Sequence, residues 1–288
     1  MKSIKLKCNG CDGVYETFNI HFTSACDNNC QHCVDKVFPG FGMVKPDPAK
    51  IAETVISHKD GIKDVLFLGG EPCLYLDELI ECLERIHEGS QLRCYLTTAV
   101  PLCCAKNPEK FQRVIELCDG VNLSVQHFDE AVADSIRGTI SKYDRQAFYK
   151  SLPFKEKLNI NMNLVRPHLC RREDVLQAIR HYDAGFRGIK FIEVQHAPKH
   201  YCSMEEIMGF RLHSAFAAGC STVLTPEMIP ELAEVGTTVI LRRACFLTEP
   251  SIKATLLDGV KSLVRFIHPP KLAFRVVYED GRLEETWK

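Results

Sequence analysis

Short apolar or β-branched runs at residues 17–23, 65–68, 92–97, 121–125, 158–165 and 188–194 alternate with helical stretches over the first two-thirds of the chain. Parallel neighbours need crossover connections, and those crossovers are right-handed, so six such alternations point to βα units around a parallel sheet. The pattern does not decide between an open sheet and one curled into a partial barrel. Helix punctuation supports the alternation. Asp47-Pro48 and Asn107-Pro108 each set a capping side chain before a proline at the first helical position, and Gly89 follows a periodic segment over 77–88. Residues 129–137 and 173–182 complete the helices.

The pattern changes after about residue 200. Ser203-Met204-Glu205-Glu206 fits a capping box and Thr225-Pro226 signals a further helix start. Short strand signals follow at 238–241, 253–257, 263–267 and 274–278. Asp280-Gly281 then predicts a type I′ hairpin leading into 282–287. The expected division is residues 1–202 as the βα unit, with a short N-terminal hairpin, and 203–288 as a small α+β extension.

Composition narrows the function classes. With 36 Lys+Arg against 37 Asp+Glu in 288 residues, the formal net charge of −1 gives no field that would gather nucleic acid or anionic lipid. No apolar run approaches the roughly 18 residues that span a bilayer, and the N-terminus lacks the apolar core of a signal peptide, so the expected compartment is the cytoplasm. The fifteen cysteines are then thiols in a reducing setting, where clustering points to metal binding or catalysis.

The densest cluster, Cys26-Asp27-Asn28-Asn29-Cys30-Gln31-His32-Cys33, directly follows the first strand. Three thiolates on one loop can hold three irons of a [4Fe–4S] cluster and leave the fourth open, the mark of a catalytic centre. The same loop also suits a zinc knuckle completed by His32 or another cysteine. Phe67-Leu68-Gly69-Gly70-Glu71-Pro72 lies where βα proteins place their sites, at the C-terminal end of the second strand. Its glycines allow close backbone approach and Glu71 offers an acceptor for an ammonium group, though a plain strand-end turn would also use this sequence.

Together the two motifs resemble those of the radical S-adenosylmethionine (SAM) superfamily, C-x3-C-x2-C after strand one and GGEP after strand two. Leu96-Thr97-Thr98, Asn122-Leu123-Ser124-Val125, Asn161-Met162-Asn163-Leu164-Val165 and Lys190-Phe191-Ile192-Glu193 extend the likeness over residues 17–197. They lean toward the branch holding the molybdenum-cofactor enzyme GTP 3′,8-cyclase and many peptide-modifying enzymes. The resemblance implies an α/β fold, a partial (β/α)6 barrel, with an oxygen-sensitive [4Fe–4S] cluster that binds SAM through its amino and carboxylate groups. One electron from a donor protein such as a flavodoxin or ferredoxin would cleave SAM to methionine and a 5′-deoxyadenosyl radical, which abstracts hydrogen from an organic substrate. On this resemblance Cys26, Cys30 and Cys33 are the cluster ligands. Gly69, Gly70, Glu71 and Pro72 form the turn at the methionine amino group, Ser124 meets the carboxylate or ribose, and Asn163, or else Asn161, meets the ribose. His32 packs beside the adenine.

Departures limit the likeness. The cyclase carries a second cysteine triplet and a Gly-Gly tail; here Cys202, Cys220 and Cys245 are widely spaced and the sequence closes Glu284-Glu285-Thr286-Trp287-Lys288, so GTP cyclisation is not expected. Gln126-His127 replaces the Asp often found after the fourth strand, a change expected to act on substrate choice. About 25 residues precede the first cluster cysteine, short of a leader-peptide recognition domain (roughly 80 residues), which favours a small molecule or nucleotide substrate over a peptide. Against the enzyme reading stand a zinc or iron–sulfur scaffold and a SAM-binding sensor.

The other cysteines divide by context. Cys8 and Cys11 form an unpartnered C-x2-C pair, and Cys202, Cys220 and Cys245 could hold an extra cluster or donate hydrogen. Cys73, Cys82, Cys94 and Cys118 read as core. Glu193, His196, Tyr201, Gln126, His127, Arg166 and His168 follow the later strands and could face the open end of the barrel, and Phe38-Pro39-Gly40-Phe41 could cover the cluster loop.

Overall fold

The computed structural model describes residues 16–33, 45–183, 185–194, 197, 199–211, 221–243 and 274–284. Six strands lie side by side in sequence order: β1 (Glu16–His21), β2 (Ile62–Leu68), β3 (Arg93–Thr98), β4 (Gly120–Ser124), β5 (Leu158–Leu164) and β6 (Gly188–Glu193). Every adjacent pair among them is parallel. Strands in sequence order joined by crossovers of one hand place all connecting helices on one face. Those helices are α1 (Pro48–Ser57), α2 (Leu76–Gly89), α3 (Leu102–Lys106), α4 (Pro108–Leu117), α5 (Glu130–Arg137), α6 (Arg145–Ser151) and α7 (Arg172–Tyr182).

Strand alternation then separates two environments. Residues pointing toward the helices, among them Ile20, Phe67, Leu96, Leu123, Met162 and Phe191, are fully buried, each contributing about 1.5–3 kcal/mol by leaving water. Residues pointing the other way, such as Asn19, Leu66, Thr97, Ser124 and Asn163, stay half-exposed and are mostly polar. With the described crossover helices α1 to α7 all on the opposite face, this face forms the wall of a chamber, as a partial barrel requires.

The helix signals hold with local corrections. Asp47 accepts from Lys50 N at 3.1 Å and Asp129 from Ala131 N and Val132 N, as N-caps do. Asn107 does not cap α4; its amide donates to Cys103 O at 2.8 Å, closing α3, a helix without sequence signal. Gly89 ends α2 inside the helix. The α6 helix was also unsignalled, although Asp144 caps it through Ala147 N.

Beyond β6 the chain enlarges the same sheet at both edges. It forms α8 (Met204–Met208), β7 (Ser221–Val223), β8 (Thr238–Arg243), β9 (Phe274–Tyr278) and β10 (Leu283–Glu284). β8 pairs parallel to β6, β9 pairs parallel to β1, and β7 and β10 add antiparallel outer strands. The capping box at Ser203 does not form: Ser203 makes no side-chain cap, and the helix start is instead met by Glu193 Oε1, which accepts Met204 N at 3.0 Å. No helix opens at Thr225-Pro226: Pro230 has no N–H to donate to the Pro226 carbonyl, and a 3-10 turn over Pro230–Glu234 follows. The β9–β10 hairpin forms, but only Gly281 takes positive φ (82°), with Gly281 N bonded to Tyr278 O and Tyr278 N to Arg282 O. That is a type I turn with a glycine bulge in place of type I′. Cys8, Cys11, residues 38–41, His196, Cys220, Cys245 and the strand signals at 253–257 and 263–267 lie outside the described residues. No described helix is long and apolar enough to cross a membrane.

Candidate functional site

The cysteine loop and the Gly-Gly-Glu-Pro turn are interlocked through their backbones. Phe22 N donates to Leu68 O, Gly70 N to Thr23 O at 2.6 Å, and Glu71 N to Ala25 O at 2.7 Å. Gly69 sits at φ 126°, and a Cβ there would lie 2.6 Å from Thr23 O; at Gly70 a Cβ would lie 2.3 Å from Ala25 O. Neither position accepts a side chain while this clasp is closed. The sequence separation between the two motifs thus becomes direct contact at the C-terminal ends of β1 and β2.

Two further attachments fix the loop. Asn29 N donates to Arg137 O at 2.7 Å and Thr139 Oγ1 to Asn28 Oδ1 at 3.0 Å, tying the loop to the C-terminus of α5, where Gly138 is left-handed (φ 65°). Buried His32 turns inward, its Nε2 2.9 Å from Asn163 Nδ2 on β5. Cys26 is exposed, and Cys30 and Cys33 are half-buried. Among the described residues no three His, Cys, Asp or Glu side chains already converge on a metal position. Metal ligands commonly come together only with their metal, and three accessible thiols on one short loop are the right donors for a group that takes three thiolates and keeps a fourth position open.

Glu71 is used structurally. Only 1% exposed, its carboxylate accepts from Thr98 Oγ1 at 2.6 Å, Ala99 N at 2.6 Å and Cys73 N at 3.0 Å, so it binds the end of β3 to the turn after β2. Burial pushes its carboxyl up to about 7 against the opposing effect of these hydrogen bonds. The residue after Ala99, Val100, is held at φ 54°, a rare conformation for a β-branched residue, and Arg145 Nη1 donates to its carbonyl at 2.8 Å.

The other expected contacts share the concave face. Ser124 ends β4 half-exposed; Asn163 Nδ2 also donates to Gln126 Oε1 at 3.2 Å, with Gln126 itself left-handed at φ 71°. Asn161 is buried on the same face and its Oδ1 has no hydrogen-bond partner. Cys26, Gly70, His32, Gln126 and Asn163 therefore belong to one connected unit. A cavity of about 580 Å³ opens on the other flank of the loop, lined by Asp27, Leu74, Pro101, Cys103, Tyr143 and Arg145, and none of the expected SAM contacts borders it.

Several candidates fall elsewhere. Glu193 is fully buried on the helix side of β6, and His127 is buried against Phe128, accepting Asp129 N at its Nδ1. Arg166 bonds to Tyr201 O. Cys73, Cys82, Cys94 and Cys118 are core, as expected. Cys202 is buried too, its thiol pushed up to about 12 by burial and directed at Leu169 O. Arg137, whose carbonyl accepts Asn29 N of the loop, was not singled out from the sequence, and Lys190, whose Nζ donates to Asn122 Oδ1, entered only as part of the β6 motif; a lysine inside that apolar run was the available signal.

Residues 20–152 match the family model of the radical SAM superfamily. That matched segment runs from the end of β1 through the cysteine loop and the glycine turn to β2, β3, β4 and helices α1 to α6. No curated protein matches the chain. Among solved structures, Streptococcus suis SuiB bound to precursor peptide SuiA aligns at TM-score 0.56 and 14% identity, over 94% of this chain and 59% of SuiB. Native anSMEcpe with bound AdoMet and Cp18Cys peptide aligns at 0.54 and 14%, over 94% of this chain and 74% of that one. His-tagged anSMEcpe with bound AdoMet reaches 0.45 and 18%, over 61% and 50%. The chain thus spans from half to about three-quarters of these structures' own length, and at such identities the likeness is one of fold. The expected partial βα barrel and the superfamily resemblance both hold. Radical SAM proteins use a [4Fe–4S] cluster and SAM.

Proposed function

We propose that this chain is a radical SAM enzyme in which Cys26, Cys30 and Cys33 hold the [4Fe–4S] cluster and SAM lies along the C-terminal ends of β2, β4 and β5. The observation that carries the reading is the backbone clasp between the cysteine loop and Gly69-Gly70, which brings both motifs of the domain to one point of the chamber rim. When bound, the cluster and SAM supply one-electron cleavage of the sulfonium and a carbon radical that removes hydrogen from an organic substrate.

The chain's own residues position and shield. Gly69 and Gly70 keep the turn free of side chains, Glu71 holds that turn rigid, Ser124 and Asn163 offer polar contacts, and His32 closes one side. Arg137 and Asn163 anchor the loop from opposite directions. The described strands β7 to β10 act as an appendage that widens the chamber wall. A flavodoxin or ferredoxin as electron donor and a cytoplasmic setting suit a centre of this kind.

For the substrate, a small molecule or nucleotide is the first reading, supported by the polar, half-exposed chamber wall. A peptide is the second, favoured by the peptide-bound complexes of SuiB and anSMEcpe that share the fold. Anaerobic reconstitution followed by SAM and a strong one-electron reductant tests the assignment. Formation of 5′-deoxyadenosine, lost in the Cys26/Cys30/Cys33 triple alanine variant, is the expected result; a zinc-loaded protein that forms none after metal exchange would return the chain to the scaffold reading.

A further inference from the structure

Within the chamber, on the register row of Ser124 and Asn161 and one pair below Asn163, the β6 side chain Lys190 reaches across β5 so that its Nζ donates to Asn122 Oδ1 on β4 at 2.9 Å. Asn122 in turn takes a hydrogen bond from Asn159 Nδ2 at 3.4 Å and gives one to Thr97 Oγ1 at 3.3 Å. This amide ladder supplies one neutral acceptor for an ammonium with three N–H groups. Among the described residues no carboxylate pairs with Lys190. Burial, with a smaller contribution from the cations Arg242 and Arg187, lowers its ammonium to about 8. A half-buried ammonium given one neutral acceptor is left incompletely paired, and an anion beside it would complete it.

A second observation marks the same spot. Asn161 is the register partner of Lys190 across β5 and β6, on the same face, and its buried Oδ1 is without a hydrogen-bond partner. The pair therefore presents a cation and an unused acceptor side by side.

We propose that Lys190 anchors an oxyanion of the substrate, and that Asn161 Oδ1 accepts a hydrogen bond from a hydroxyl or amino group next to that oxyanion. This inference rests on the reading of the chamber as the substrate site of a radical SAM enzyme. It narrows the substrate to a small anion carrying a carboxylate or phosphate beside a donor group, held by its charged end on the β5–β6 side while the rest extends toward the rim.

Calorimetric titration of the reconstituted full chain tests it, with lactate as the carboxylate probe and glycerol 3-phosphate as the phosphate probe. Wild type is expected to bind one of them, which identifies the oxyanion. Lys190→Gln should weaken that binding at least tenfold, and Lys190→Arg should keep it within about threefold. Asn161→Asp places a carboxylate opposite Lys190; it should abolish anion binding while the thermal midpoint holds or rises, so the result does not depend on the Gln variant folding well. Absence of binding by wild type to both probes, or equal binding by Lys190→Gln, overturns the proposal. The 5′-deoxyadenosine assay on wild type without probe stays separate: its failure sinks the enzyme reading and leaves the anion result standing, and its success beside failed titrations sinks only the anchor.

Discussion

Asn163 Nδ2 donates to His32 Nε2 at 2.9 Å, across 131 residues of sequence, and so joins the cysteine loop to the fifth strand of the sheet. The contact requires Nε2 to be the unprotonated ring nitrogen. The same amide serves Gln126 Oε1, so one side chain couples the loop, β4 and β5. Asn163→Ala leaves two acceptors in a partly buried site without their donor, at a cost of about 1–3 kcal/mol. We expect the denaturation midpoint to fall accordingly and SAM affinity, measured by calorimetry on reconstituted protein, to drop about tenfold. Unchanged affinity would mean that Asn163 serves the loop alone.

Gly70 makes a sharper case because its constraint is steric. A methyl group there would meet Ala25 O at 2.3 Å, a backbone atom one residue before Cys26, and no side-chain rotation relieves that contact. Gly70→Ala should therefore open the clasp, costing about 1–3 kcal/mol, and lower the iron and sulfide retained after reconstitution. A variant with wild-type stability and a full cluster would show that the clasp can shift without consequence for the loop.

Most of this arrangement was readable before any fold was known, and the reason is local. The β runs of strands one to six are short and apolar toward the helices, Asp47-Pro48 and Asp129 carry explicit caps, and the two motifs each occupy a strand end. What was not readable depends on partners far apart in sequence. Glu71 looks like a ligand contact as a sequence character, and only the approach of Thr98 and Ala99 shows it occupied by structure. Glu193 looked inward-facing because it follows the β6 motif, yet strand alternation places it with Ile189 and Phe191 on the helix side, capping α8. The hairpin at Asp280-Gly281 was found as a turn but not as its type, since Asp-Gly serves both.

Glu71 also gives the chain a pH signature. Its folded-state carboxyl is raised to about 7 from an ordinary 4.5, so between these values the folded protein holds a proton that the unfolded chain has lost. Stability must then fall as pH rises from about 4.5 to 7 and level off above, by about 3 kcal/mol for this one group. Glu71→Gln removes the titration but also sets an amide N–H₂ near one of the three donors. The expected result is a flatter dependence of unfolding free energy on pH than in wild type, measured by urea denaturation from pH 5 to 8. Parallel curves for the two proteins would show that the carboxylate stays ionised throughout, held by its hydrogen bonds.

Arg137 is the support of the loop on its outer side. Only 1% exposed, its guanidinium forks to Glu130 and to Asp134 Oδ1 (2.6 Å), and Nη1 approaches Val125 O at 3.4 Å, while its own carbonyl receives Asn29 N. Helix α5 thus ends at a cation that is locked from both sides, and the lock positions the backbone acceptor used by the cysteine loop. Arg137→Leu would leave two acidic side chains facing each other one turn apart, both partly screened by water, so the loss belongs at the low end for a broken buried pair, about 3 kcal/mol. Lys cannot reach two carboxylates and a carbonyl from one planar fork, so Arg137→Lys should recover only part of it. Limited proteolysis supplies the readout that separates a general loss of stability from a local one. If the lock holds the loop, the Leu variant is cut between Cys26 and Cys33 under conditions where its unfolded fraction is negligible, and the Lys variant is cut more slowly. Cleavage spread over the whole chain would instead make Arg137 an ordinary core residue of α5.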